Sequence, residues 1–162
     1  RSLVDLAGVA HEAALAAGVC HPGRYVQVES GGPLPVNATA AAVLQVLDNA
    51  AKYSFDGTPI RLEALRVGPL AVLAVEDTGP GIPAAERDRI FERFTQLDSG
   101  ATRRAGGVGL GLYIARQLAA AQGGELLVTD PTTSGQGARF ELRLPLAQQP
   151  ASGVLAYTAS RR

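Results

Sequence analysis

The chain has 162 residues, enough for one domain with a sizeable core and too few for two ordinary ones. Fifteen basic residues balance fifteen acidic ones, which removes the bulk electrostatic case for binding nucleic acid or an anionic membrane surface. No run of roughly eighteen apolar residues occurs, so neither a membrane-spanning helix nor a leader peptide is expected. The lone Cys20 cannot close an internal disulfide or anchor a metal by itself; it points to a reducing compartment and is expected to be a small buried apolar residue. There is no methionine, which suggests a piece of a longer protein, and Lys52 is the only lysine among the fifteen basic residues.

In chain order, Leu3, Leu6, Ala7, Ala10, Ala14 and Ala17 recur at helical spacing and stop at Gly18, which predicts a first helix ending there. RYVQVE (24–29) alternates like a strand, and SGGPLP (30–35) reads as a turn or loop. Residues 37–54, rich in Ala, Leu and Val, predict a long second helix capped by Asn37 or Thr39 and broken by FDGTP. IRLEALRV (60–67) and LAVLAVED (70–77) are strands separated by Gly68 and Pro69, hence an antiparallel hairpin; the second is apolar on both faces and so central. TGPGIP (78–83) is irregular, and PAAERDRIFERF (83–94) reads as a short helix with Pro83 in its first turn.

Thr95 to Gly107 shows neither period and is a candidate mobile lid. A third helix is expected from Gly111 to about Gln122, with Ile114, Leu118 and Ala121 as its apolar stripe and Gly123-Gly124 as its end. ELLVT (125–129) and ARFELRLPL (138–146) close the domain as two strands, and the aperiodic tail 148–162 is expected to be disordered. This order of elements predicts helices layered on one face of a mixed or antiparallel sheet, an α+β fold.

Three stretches carry chemistry. In RAGGVGLGLYI (104–114), glycines run into a helix start, where free backbone amides and the positive end of the helix dipole suit an anion such as phosphate; by itself such a loop is equally a flexible connection. The spacing is neither the dinucleotide fingerprint, since Leu112 takes its last glycine position, nor a P-loop. In LQVLDNAAKYS (44–54), Gln45, Asn49, Lys52 and Tyr53 lie three or four residues apart and share a helix face, with Leu44, Leu47 and Ala51 turned to the core. The plain alternative is a solvated face with an Asp48–Lys52 pair. The Asn49 carbonyl is a hard donor suited to Mg²⁺, which completes its shell with water and nucleotide phosphates. In VEDTGPGIP (75–83), Asp77 ends a buried strand before turns at Gly79 and Gly81, where a carboxylate either faces a cavity and accepts from an amine such as adenine's or caps backbone amides.

Together these stretches resemble the catalytic, ATP-binding domain of two-component sensor histidine kinases. LQVLDNAAKYS is similar to that family's N box, EDTGPGIP to its first glycine box, IFERF to its F box, and GGVGLGLYIARQLAAAQGG to its second glycine box, all in the family's order. The resemblance implies a Bergerat fold: a two-layer α/β sandwich with about three helices on one face of a mixed, roughly five-stranded sheet. It implies a kinase domain over 1–147, with a flexible ATP lid at about 83–107.

It also implies roles. Asn49 would ligate Mg²⁺, Lys52 would meet the phosphates, Tyr53 would pack beside the base, and Gln45 would share their face. Asp77 would accept from the adenine amine, with Gly79, Gly81 and Ile82 shaping its pocket. Gly107, Val108, Gly109, Leu110, Gly111 and Leu112 would cradle the triphosphate. Phe91 and Phe94 would hinge the lid, and Arg103 or Arg104 would reach the terminal phosphate unless they are a solvated pair.

The implied activity is transfer of the γ-phosphoryl of MgATP to a histidine on a separate dimerisation domain of the same protein, and from there to a response regulator. The setting implied is a cytoplasmic portion of a membrane-anchored bacterial sensor, homodimeric at full length. Gln45 stands where hydrolytic relatives carry a Glu base, which favours transfer over hydrolysis. Ala138 stands where Ser or Thr is frequent, which removes a supporting hydrogen bond. No phosphoacceptor box is present, because His11-Glu12 lacks the following basic and Pro residues; His11 and His21 are read as ordinary, partly exposed residues. Two rival readings are a regulatory nucleotide-binding module without transfer activity and an anti-sigma-type serine kinase, the latter disfavoured by the complete F box and long lid.

Overall fold

The structure, a computed structural model, describes residues 2–53, 57–93, 110–132 and 135–148. Strands β1 (Ser2–Asp5) and β3 (Pro35–Ala38) pair antiparallel as a small two-stranded sheet. The main sheet has β2 (Val26–Ser30), β4 (Ile60–Val67), β5 (Leu70–Glu76), β6 (Glu125–Thr129) and β7 (Arg139–Pro145) in the order β2-β4-β5-β7-β6. Only β2 and β4 run parallel; the other pairs are antiparallel. Helices α1 (Leu6–Cys20), α2 (Ala41–Tyr53) and α3 (Gly111–Ala121) pack on this sheet and side by side. The α+β architecture expected from the order of elements is the one observed.

Side-chain alternation decides which face the helices cover. Ile60, Leu62 and Ala64 on β4, Leu73 and Val75 on β5, and Phe140, Leu142 and Leu144 on β7 are in register and buried in one continuous core with the helices. The intervening residues form a charged lattice on the opposite face, in which Arg139 contacts Glu76, Glu63 and Glu141, and Arg143 contacts Glu141 and Glu125. β5 is buried along almost its whole length, as its central place requires, and the β4–β5 hairpin turns at Gly68 in the left-handed region, φ +57°.

Several local expectations are corrected. The segment containing Leu3 is strand β1, with Leu3 paired to Asn37 and 66% exposed. Asp5 then caps α1, accepting from the Ala7 and Leu34 amides at 3.1 and 2.7 Å. α1 continues through Gly18 to Cys20, because one interior glycine costs only about 1 kcal/mol against the burial of Ala10, Ala13 and Ala17. Cys20, beyond the last buried residue of α1, is exposed rather than buried. Part of the expected 30–35 loop is the entry to β3, and Asn37 belongs to that strand, so it does not cap α2; α2 begins only at Ala41, two residues past Thr39.

The expected helix at 83–94 is two 3₁₀ turns, Ala84–Glu86 and Arg89–Phe91. Its buried residues, Ile90 and Phe91, are adjacent instead of a helical turn apart, so no apolar stripe sustains an α-helix. On α3 the buried residues are Ala115 and Ala119, while Ile114 is 40% exposed and Ala121 lies outside the core. α3 packs against α2, and small side chains allow that close approach. Leu44 on α2 is likewise 42% exposed instead of turned inward, whereas Leu47 is buried as expected. α3 ends in a Schellman arrangement, with the Gly124 amide donating to the Ala119 carbonyl and the Gly123 amide to that of Ala120, and Gly123 at φ +77°. The expected tail from 149 onward lies outside the described residues.

Candidate nucleotide site

Asp77 follows β5 directly and continues its alternation, so its carboxylate belongs to the helix-side row of Leu73 and Val75 but stands where the strand runs out. It is 4% exposed. One carboxylate oxygen, Oδ1, accepts from the Gly79 amide at 2.9 Å and the Ala138 amide at 3.2 Å. The other oxygen has no partner among the described residues. Burial pushes the Asp77 carboxyl above its ordinary range, the two amides pull it back, and the neighbouring Glu76 charge adds to the rise. Of the two alternatives open in the sequence, the capping of backbone amides is the one observed, and it engages Oδ1. The adjacent Thr78 hydroxyl is buried and also lacks a partner among the described residues, the state of a group that a ligand or water completes.

The walls here are backbone. Gly81 has φ +78°, and a Cβ on it would meet the Gly137 carbonyl oxygen at 2.9 Å. Gly137 has φ +106°, and a Cβ on it would overlap the Asp77 carbonyl oxygen. Ile82, beside Gly81, is half-buried against the core. The first glycine box and the turn before β7 thus interlock at distances only glycine permits. In the sequence DPTTSGQG reads as the turn between the two closing strands, with no site role for Gly137; the closely spaced glycines of SGQGA were the available signal.

The second part of the site lies on α2 and α3. Gln45 and Asn49 are one helical turn apart on α2 and both half-buried. A Cβ on Gly111, at the start of α3, would meet the Gln45 Oε1 at 3.1 Å, so the second glycine box begins against the amide stripe. Leu110 occupies the N-cap of α3 without a side-chain cap, and the amides of Gly111, Leu112 and Tyr113 have no intrahelical acceptor. Leu112 packs its side chain on the core, which fixes that first turn. Helix α2 packs on both β5 and α3.

Asp48, adjacent to Asn49, bonds His21 Nε2 at 2.7 Å, and His11 Nδ1 lies 2.8 Å from the Ala7 carbonyl oxygen within α1. Both histidines are therefore held by local structure. The Lys52 and Tyr53 side chains, and Phe94, Arg103, Arg104, Gly107, Val108 and Gly109, lie outside the described residues, as does most of the expected lid. Among the described residues no cluster of three His, Cys, Asp or Glu side chains could hold a metal. The Asn49 amide, with Gln45 beside it, is a sparse, hard-oxygen donor set that fits Mg²⁺ bound mainly through phosphates and water. Phe91 is buried under the Arg116 guanidinium, 4.6 Å from the ring centroid, while Arg93 stacks on Tyr113 at 4.7 Å and donates to its hydroxyl at 2.7 Å. The F box is thereby fastened to α3.

The sequence profile of the histidine kinase-, DNA gyrase B- and HSP90-like ATPases matches residues 37–148, and the chain belongs to that family. It is 38% identical over 126 residues to the alginate biosynthesis sensor protein KinB of Pseudomonas aeruginosa, covering 75% of this chain and 20% of that protein. Among solved structures it is similar to a mycobacterial sensor histidine kinase, MprB, with TM-score 0.78 and 32% identity over 91% of this chain and 99% of that one. It is also similar to full-length ShkA in complex with AMPPNP, with TM-score 0.74 and 32% identity over 93% of this chain and 32% of that one. The chain spans about a fifth of the length of the curated relatives KinB and MprB. No described helix is long and apolar enough to cross a membrane.

Proposed function

We propose that this chain is the ATP-binding catalytic domain of a sensor histidine kinase, moving the γ-phosphoryl of MgATP to a histidine outside it. The observation that carries this reading is Asp77: a buried carboxylate with one oxygen tied down by two amides and the other without a partner among the described residues, at the end of a strand against which helix α2 packs. An oriented acceptor in that position reads an exocyclic amine. The uncapped start of α3, entered from the glycine-rich stretch, suits phosphates. Likeness to a sensor histidine kinase and to a protein solved with AMPPNP, an ATP analogue, supports the same ligand.

In this reading Asn49 holds Mg²⁺, which when bound neutralises phosphate charge. Lys52, Arg103 or Arg104, and the backbone of 107–112 hold the triphosphate, and Tyr53 and Ile82 flank the base. Gln45 has no basic group with which to activate water, so the site positions the γ-phosphorus for an incoming imidazole instead of hydrolysing the nucleotide. The acceptor histidine lies on a dimerisation domain of the full-length, homodimeric, cytoplasm-facing protein, and a response regulator receives the phosphoryl next.

The test is incubation of the chain with labelled MgATP and a separately made helical phosphoacceptor domain. Acid-labile, base-stable phosphohistidine on that domain is expected; nucleotide binding without it would overturn the kinase reading in favour of a regulatory nucleotide-binding module. Asp77→Asn is expected to abolish nucleotide binding while leaving the fold intact, and retained affinity would refute the placement of the base.

A further inference from the structure

Glu76 and Asp77 are consecutive, yet they face opposite sides of the sheet. Glu76 is 3% exposed on the face away from the helices. Its Oε2 contacts Arg139 Nη1 at 3.1 Å and accepts from the Thr132 hydroxyl at 2.9 Å; its Oε1 accepts from the Thr132 amide at 3.0 Å. Thr132 lies in the β6–β7 turn, whose far end carries Gly137 and Ala138. That end supplies the Ala138 amide to the Asp77 carboxylate and interlocks with Gly81. A second fastening holds the near end of the turn: Arg87, after the first glycine box, forms an ion pair with Asp130 and also approaches the Ile82 carbonyl.

We propose that Glu76 and Thr132 are positioning residues for nucleotide binding, holding the β6–β7 turn so that its far end aims the Asp77 carboxylate at the base. This rests on the reading of Asp77 as the base acceptor. Thr132 is itself exposed, so its side chain adds little buried surface, and its two bonds to a buried carboxylate act on the turn rather than on the core. The Ala138 amide bond to Asp77 is the longer of the two that orient the carboxylate, and it is the one that depends on the turn.

The test is titration of MgATP into the chain and its variants by calorimetry, with thermal melting in parallel. Thr132→Val removes the hydroxyl donor while keeping shape and amide. It is expected to weaken MgATP about tenfold, the scale of one hydrogen bond to a charged acceptor, and to lower the melting temperature modestly because the same bond is present without nucleotide, and Thr132→Ser is expected to restore wild-type affinity and melting. Glu76→Ala is expected to weaken binding at least as much, and adding Thr132→Val to it is expected to cause no further loss, because both act through one contact. Should Glu76→Ala fail to fold, the Thr132→Val and Thr132→Ser pair decides alone. Wild-type affinity in Thr132→Val, or additive losses in the double variant, overturns the proposal while leaving Asp77 as the base acceptor. A wild-type chain that takes up no MgATP overturns both.

Discussion

The two faces of the five-stranded sheet are built from alternate residues of the same strands, yet they are stabilised by different physics. Toward the helices, Phe140, Leu142 and Leu144 on β7 bury apolar surface; away from them, Arg139, Glu141 and Arg143 on that strand neutralise one another. A non-directional force tolerates changes of shape in proportion to area, whereas a buried ion pair fails abruptly when one partner is removed. The candidate site sits where the two regimes meet, at the open end of β5, with Asp77 on the helix side and Glu76 behind it.

The largest effect on stability is expected on the helix side. Phe140 is fully buried and in register with Val75 and Val128. Phe140→Ala is expected to destabilise the domain by about 4 kcal/mol, read from the shift of the urea midpoint. Next comes the other face at its most covered point: Arg139→Ala strands Glu76 without its guanidinium and is expected to cost about 3 kcal/mol. If that variant were as stable as wild type, the claim that the charged face fails abruptly would be broken.

Asp77→Asn is expected to have a smaller effect on stability and one of opposite sign near neutral pH. Because burial holds the folded-state carboxyl above its ordinary range, the native chain binds that proton at a pH where the unfolded chain has already lost it. The stability contributed by this group is therefore present at low pH and lost as pH rises through the ordinary value and then the raised one. Replacing the carboxyl by an amide removes that slope, which melting curves across acidic and neutral pH would show. Nucleotide affinity runs the other way: it is expected to fall as pH drops through the raised value, since the protonated carboxyl no longer accepts from the amine.

Most of this architecture was legible in the sequence because alternation and helical period mark where apolar side chains collect. The β4–β5 hairpin, central β5, the glycine stop after α3 and the closing β6–β7 pair all follow from such patterns. What failed depended on distant partners. β1 is too short and too exposed to carry a period, and it becomes a strand only because Asn37 and its neighbours return to pair with it. The buried stripe of α3 is Ala115 and Ala119 because a second helix comes close, and hydrophobicity alone favours Ile114. Within the site, Asp77, Gln45 and Asn49 were visible from residue type and spacing. The dependence of Asp77 on Gly137 and Ala138 was not, because those residues lie some sixty positions along the chain.

The smallest expected effect tests whether cover, and not charge, separates strong from weak pairs. Arg143 lies four residues beyond Arg139 on the same face of the same strand, and both guanidinium groups bond Glu141 between them. Their side-chain exposures are 35% and 8%. In the more exposed position water competes for the ions and salt screens them, so Arg143→Ala is expected to cost less than about 1 kcal/mol, and less still at about 1 M salt. Chemical denaturation of both variants in urea, at low and high salt, compares the two arginines directly. Equal losses for Arg139→Ala and Arg143→Ala would mean that the shared glutamate governs the lattice. A loss confined to Arg139 would mean that the buried contact with Glu76 does, and that the charged face is rigid only where it backs onto the site.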